Sequence, residues 1–181
     1  MKKSILLFLI GFLLTTACFS QSIYDISFND IDGNSISVNS FQGKTIIFFI
    51  APISINDSVR LDDIKSFRNR YGNDSIRLVG IMSIEDGFSS ANKTAIQSLY
   101  QSRGIDVLLT EGMYVKKSSG DNQSALMQWI TKKSLNSRFE IEPKGIYEKF
   151  CISTQGKFCG IAPPENLLFD SIMSTLLKRA K

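Results

Sequence analysis

An α/β fold with a mixed central sheet is predicted by three features of the sequence. Residues 46–50 are five consecutive large apolar residues without alternation, which is typical of a strand buried on both faces. Apolar strands and amphipathic segments then alternate along the chain, which favours parallel βαβ units. Near the end, two apolar segments flank Thr154-Gln155-Gly156 and precede a last amphipathic segment, which predicts an antiparallel hairpin covered by a helix. A chain of 181 residues, 43% of them hydrophobic, is long enough for one domain with its own core.

The first 20 residues are predicted to be a signal peptide rather than part of the fold. Two lysines precede an apolar segment over residues 5–14, which is shorter than the roughly 20 residues of a membrane-spanning helix. Two processing routes remain open, lipidation of Cys18 as in a lipoprotein, or ordinary cleavage after Ser20. Both routes predict an exported protein, periplasmic or lipid-anchored in a bacterial envelope, with one domain over residues 21–181.

Composition argues against several classes of function. Removing Lys2 and Lys3 from the 21 basic residues leaves 19 against 17 acidic residues, so no nucleic-acid partner is expected. The sequence contains no His, which excludes Ser-His-Asp and Cys-His catalysis and histidine metal ligands. The paired acids Asp62-Asp63 and Glu85-Asp86 have no evident third ligand, so no metal site is predicted, and no cofactor either.

The remaining elements follow from apolar periodicity and turn residues. A short N-terminal hairpin is predicted around Asp32-Gly33. A helix capped near Asn56 or Asp57 is predicted to reach Tyr71, with Asp62 and Asp63 facing water. Further predicted elements are strands at residues 76–82 and 105–109, helices at 92–101 and 124–133, a hairpin over 147–161, and a last helix that begins at Pro164. Parallel βαβ units followed by an antiparallel hairpin and a helix are the order of thioredoxin-like folds.

Several segments, in this order and spacing, resemble glutathione peroxidases. Phe41-Gln42-Gly43-Lys44 resembles that family's lead into its first core strand. Gly120-Asp121-Asn122, followed by Leu126, Trp129 and Ile130, resembles its Gly-x-Asn helix, and Lys149-Phe150 through Gly156-Lys157 resembles its final hairpin. The resemblance covers nearly all of residues 21–181 and implies a thioredoxin-like fold of the glutathione-peroxidase type.

The resemblance implies chemistry by a peroxidatic Cys or selenocysteine that Gln, Trp and Asn support. The corresponding positions in this sequence are Ile55 or Ser54 for the nucleophile, Ile84 or Glu85 for Gln, and Gly145 and Ile146 for Trp and Asn. An isoleucine is no nucleophile, and a serine hydroxyl without a strong base is too weakly acidic to replace a thiolate. We therefore expect that the peroxidase chemistry has been lost.

Two cysteines lie inside the predicted domain, Cys151 and Cys159, on either side of the Gly156 turn. If Ser153 pairs with Lys157, Cys151 faces Cys159 at a separation close to that of a disulfide. The pair is then a structural disulfide, two buried thiols, or a redox pair. The absence of a Cys-x-x-Cys motif at a helix N-terminus counts against the redox pair.

Three functions are compatible with these observations. The first is a non-catalytic binding or scaffold domain of the cell envelope, whose partner is an unidentified envelope protein or small ligand. The second is an oxidoreductase that handles peroxides or disulfides through Cys151 and Cys159. The third is peroxidase activity retained through another arrangement. Contact with a membrane is expected only through the signal peptide or a lipid anchor.

Overall fold

A mixed five-stranded sheet forms the centre of the computed structural model, which describes residues 21–181. The strands are β1 (Ser27–Asn29), β2 (Ser35–Ser37), β3 (Thr45–Ile50), β4 (Ile76–Ser83), β5 (Leu108–Met113), β6 (Lys149–Ile152) and β7 (Phe158–Ala162). The helices are α1 (Ser58–Tyr71), α2 (Lys93–Ser102), α3 (Ala125–Thr131), α4 (Lys133–Asn136) and α5 (Ser171–Arg179). The central sheet has the order β5-β4-β3-β6-β7, in which β3 and β4 pair in parallel and β3 and β6 antiparallel.

This architecture confirms the predicted fold class, including the N-terminal hairpin formed by β1 and β2. The predicted signal peptide and its lipidation candidate Cys18 lie outside the described residues. Within residues 21–181, no helix combines the length and apolar character needed to cross a membrane.

Strand β3 lies at the centre because both of its faces are covered by apolar side chains. Ile47 and Phe49 belong to one core, which they share with α1, α2 and α5. Ile46, Phe48 and Ile50 belong to a second core, which they share with α3 and the N-terminal hairpin. All six residues of β3 are buried, which explains why its sequence shows no alternation.

Two predicted boundaries were wrong. The strand predicted at residues 105–109 lies instead at Leu108–Met113, because Thr110 fills an irregularity in the β4–β5 pairing, where its Oγ1 accepts a hydrogen bond from the Met82 nitrogen. The last helix begins at Ser171 rather than at Pro164. Residues 163–170 form turns, in which the Asp170 carboxylate accepts from the Leu167 nitrogen at 2.9 Å.

Candidate functional site

The turn after β3 contains the two positions that the resemblance assigns to the nucleophile. A 3-10 turn over Ile55–Asp57 connects the end of β3 to α1. The Ser54 Oγ caps this turn by accepting from the Asn56 nitrogen at 3.2 Å. The Ile55 side chain is 61% exposed. The turn therefore presents a hydrocarbon side chain to solvent, and its one hydroxyl is occupied in capping.

The two candidate Gln positions follow β4 and differ in environment. Ile84 is 36% exposed and borders an open cleft of about 440 Å³. The Glu85 carboxylate accepts from the Val115 nitrogen at 3.0 Å, the Lys116 nitrogen at 2.9 Å and the Ser119 hydroxyl at 2.7 Å. Burial raises the pKa of Glu85, but these hydrogen bonds outweigh it and lower the pKa. Glu85 is thus an ionised anchor for the loop after β5.

The Trp and Asn positions, Gly145 and Ile146, lie just before β6. Gly145 has a φ of 118°, a conformation that residues with a side chain rarely adopt. A Cβ atom at residue 145 would lie 3.1 Å from the Asp86 Oδ1. Asp86 is itself held in place, because its Oδ2 accepts from the Ser83 hydroxyl at 2.6 Å. A side chain at residue 145 would therefore press on the Asp86 carboxylate, which would have to shift by a few tenths of an ångström.

Contacts connect the three segments that contain these positions. Asp86 meets Gly145, and a Cβ built on Gly87 would lie 3.5 Å from the Ile53 Cδ1 in the turn after β3. At these positions Ile55 has a hydrocarbon side chain and Gly145 has none. The carboxylates of Glu85 and Asp86 accept hydrogen bonds within the fold. Among residues 21–181, no three Cys, Asp or Glu side chains are grouped closely enough to hold a metal ion.

A buried acid on α1 was missed by the sequence reasoning. The prediction that Asp63 faces water was wrong, because Asp63 is only 8% exposed. Its carboxylate accepts from the Leu168 nitrogen at 2.6 Å and from the Tyr147 hydroxyl. The turns over residues 163–170 cover this side of the helix and supply one of the two donors. The sequence does contain one indication that Asp63 is buried. Asp63 lies four residues before the core residue Phe67, and therefore on the same face of the helix.

Lys149 completes this buried polar cluster. It is fully buried, and its Nζ donates to the carbonyl oxygens of Pro163, at 3.3 Å, and Asn166. The Nζ also lies 3.7 Å from the centre of the Tyr147 ring. Burial lowers the pKa of Lys149 to about 8, although the Asp63 carboxylate opposes the shift. The cluster connects α1, β6 and the turns before α5, and we interpret it as structural.

Cys151 and Cys159 are buried free thiols in the final hairpin. The Ser153 nitrogen donates to the Lys157 carbonyl at 2.8 Å, and Ile152 pairs with Phe158, as predicted. The register then shifts, so that Cys151 pairs with Gly160 rather than with Cys159, and that part of the prediction was wrong. A bulge of this kind sets two residues of one strand against one of the other. The two thiols nevertheless remain neighbours, since each is the largest influence on the pKa of the other. The Cys159 Sγ donates to the Lys157 carbonyl at 3.5 Å and to the Arg179 carbonyl at 3.7 Å.

Comparison with solved structures shows which fold the chain has. No family model matches the chain. The crystal structure of Trgpx superposes with a TM-score of 0.65 at 15% identity, covering 88% of this chain and 96% of that one. GPX1 of T. cruzi gives a TM-score of 0.63 at 16% identity, with coverage of 88% and 97%. A thioredoxin-family thiol:disulfide interchange protein from Chlorobium tepidum gives 0.59 at 17% identity, with coverage of 89% and 96%. The chain therefore has a thioredoxin-like fold.

The chain is also similar in sequence to a known protein. The chain is 23% identical over 169 residues to the hydroperoxy fatty acid reductase gpx1 of Synechocystis sp., covering 86% of this chain and 96% of the relative. This similarity and the superpositions on Trgpx and on GPX1 of T. cruzi agree with the resemblance found in the sequence.

Proposed function

We propose that this chain is an exported, glutathione-peroxidase-like protein that has lost peroxidase chemistry and acts as a binding domain in the cell envelope. The observation that carries the proposal is the turn after β3, where the exposed Ile55 and the capping Ser54 occupy the two positions that the resemblance assigns to the nucleophile. Gly145 strengthens it, because its φ of 118° disfavours a side chain and a Cβ there would lie 3.1 Å from the Asp86 Oδ1.

The surface that we assign to binding includes this turn and lies at the end of the sheet where β3 and β4 end. Ile55 is 61% exposed, Val59 at the start of α1 is 68% exposed, and Ile84 after β4 is 36% exposed. Large apolar side chains are costly to leave in water, so their exposure at one end of the sheet favours a partner that covers them. A protein of the envelope or a small apolar ligand fits this chemistry.

An assay of peroxide consumption tests the loss of chemistry. The Synechocystis relative is named as a hydroperoxy fatty acid reductase and provides the positive control. The mature protein should consume neither hydrogen peroxide nor a fatty acid hydroperoxide with thioredoxin or glutathione as reductant, because such a reaction needs an activated nucleophile. Turnover above the buffer rate would overturn this part of the proposal. If turnover is present but disappears in the Cys151→Ser and Cys159→Ser variants, the cysteines of the final hairpin carry the activity.

Site-specific crosslinking tests the binding surface. A photoreactive phenylalanine analogue in place of Ile55 should give a discrete adduct in intact cells. The matched control replaces Tyr114, which is 39% exposed in the loop after β5. If the analogue at residue 55 gives only the adducts that the analogue at residue 114 also gives, binding at this surface is refuted.

The export of the chain is tested by the mass of the mature protein. Lipidation gives a chain that begins with a modified Cys18, and ordinary cleavage gives one that begins with Gln21. An intact mass that still includes residues 1–17 would contradict the proposed export.

A further inference from the structure

We propose that Cys159 and Cys151 form a thiol–disulfide exchange site for small anionic disulfides, at a surface cavity between β7 and α5. This site lies in the final hairpin, on segments different from the turn after β3. It therefore does not depend on the proposed binding role of that turn.

The bulge in the hairpin creates the pair. Ile152 pairs with Phe158, whereas Cys151 already pairs with Gly160, so Cys159 is the additional residue on its strand. In a regular strand, successive side chains point to opposite faces of the sheet. The extra residue of a bulge breaks this alternation, so the Cys159 side chain can lie on the same face as that of Cys151. Both thiols accordingly belong to the same core, where each is the largest influence on the pKa of the other. Neighbouring thiols form a disulfide when their Cβ atoms come within about 3.5–4.5 Å of each other.

Access distinguishes the two thiols. Cys159 is 5% exposed and lines an open surface cavity of about 380 Å³, whereas Cys151 is fully buried behind it. Gly160 allows α5 to lie close to β7, since a Cβ there would come within 2.5 Å of the Leu176 Cδ2. A reagent in the cavity therefore meets Cys159 first, because Cys151 does not line the cavity.

The charges around the pair favour the same assignment. The neighbouring Cys151 thiol lowers the pKa of Cys159 to about 7 against the opposing effect of burial, and the Arg138 guanidinium contributes. The Cys159 thiol and burial raise the pKa of Cys151. Arg138 is fixed by donating to the Phe158 carbonyl at 3.0 Å. Of the described residues that line the cavity, Arg179 alone carries a charge, so an anionic disulfide is attracted.

The exchange proceeds in two balanced steps. The Cys159 thiolate attacks one sulfur of the disulfide, whose sulfur–sulfur bond breaks and releases one small thiolate, leaving a mixed disulfide on Cys159. Cys151 then attacks the Cys159 sulfur and gives its proton to the second small sulfur, which leaves as a thiol. The protein pair is oxidised to a disulfide, and the small disulfide is reduced to two thiols.

The experiment uses dithiobis(nitrobenzoate), a disulfide with two carboxylates whose product thiolate is coloured. The native mature protein should release two product thiolates per chain and give a Cys151–Cys159 disulfide in a peptide map. Cys151→Ser should release one and retain the mixed disulfide in its intact mass. Cys159→Ser should react at least about tenfold more slowly, because the remaining thiol is buried and of raised pKa.

A charge series tests the preference for anions. The wild-type protein should react more slowly with cystamine, a disulfide with two cations, after correction for each reagent's rate with a free thiol. Arg179→Gln should weaken this preference and Arg179→Glu should reverse it.

Two results would overturn the proposal. One is a native protein whose thiols react only after urea is added. The other is a Cys159→Ser variant that reacts as fast as wild type. Equal rates with both reagents would remove the anionic substrate class. Because none of these readouts involves peroxide turnover or crosslinking at residue 55, failure here is distinct from failure of the proposed binding function.

Discussion

Replacing Asp63 by Ala should destabilise the fold far more than the same change at the adjacent Asp62. Asp63 is 8% exposed and accepts from the Tyr147 hydroxyl and the Leu168 nitrogen. The side chain of Asp62 is 66% exposed and pairs with Arg103 at 2.9 Å. The two acids are neighbours in the same helix, so helix propensity is matched and the comparison isolates burial.

The magnitude follows from the groups that the substitution leaves behind. Asp63→Ala leaves two buried donors without an acceptor, each costing about 1–3 kcal/mol, and it removes the negative charge near Lys149. Removing one partner from such a buried charged cluster costs about 3–5 kcal/mol. Tyr147→Phe removes only one donor and should cost about 1–2 kcal/mol. Asp62→Ala breaks an exposed pair and should cost no more than about 1 kcal/mol.

Urea unfolding followed by circular dichroism measures these differences. With a slope of about 2 kcal/mol per molar urea, Asp63→Ala should lower the midpoint by on the order of 2 M. If Asp63→Ala does not fold, Tyr147→Phe gives the smaller shift in its place. Equal midpoints for the Asp62 and Asp63 variants would show that the buried cluster contributes no stability, and the reasoning would fail.

Three further predictions concern other parts of the fold. The pKa of Lys149, about 8 in the folded protein against 10.5 ordinarily, means that the unfolded chain binds more protons between these pH values. The free energy of unfolding of wild type relative to Lys149→Met should therefore rise from pH 8 towards pH 10, and a flat difference in urea titrations would contradict it. Gly156→Ala places a Cβ only 2.7 Å from the Tyr24 ring, at a residue whose φ is 75°. It should lower the melting temperature more than Gly33→Ala, where the φ is 90° but no atom lies within 4 Å of the new Cβ. Equal shifts in melting temperature would count against the contact with Tyr24. Glu85→Gln should speed hydrogen exchange at the Val115 and Lys116 amides, and unchanged protection would argue against the anchoring role of Glu85.

The fold was predictable because its signals are local and mutually consistent. The unbroken apolar run of β3 and the Gly156 turn each indicated one structure, and both are present. The boundary errors arose where a tertiary contact decides the outcome. Thr110 lies in a strand because its hydroxyl completes the pairing with β4, which no local pattern shows.

For the candidate site, the sequence gives positions to compare but not their surroundings. The resemblance assigns the nucleophile to the turn after β3, and the parallel pairing of β3 with β4 places the loops after both strands at one end of the sheet. It could not locate the partner of a buried acid, since Asp63 and Leu168 are far apart in sequence. Nor could it foresee the bulge at Cys159, because spacing alone does not reveal where a register shifts.

The contact between residue 145 and Asp86 also limits how this protein could change. A thiol introduced as Ile55→Cys would require only one substitution in an exposed turn. A large side chain at residue 145 would additionally require a different backbone conformation and displacement of a carboxylate bonded to Ser83. A fully supported nucleophile in this turn therefore requires several substitutions, and the change at residue 145 strains the fold before any activity is gained.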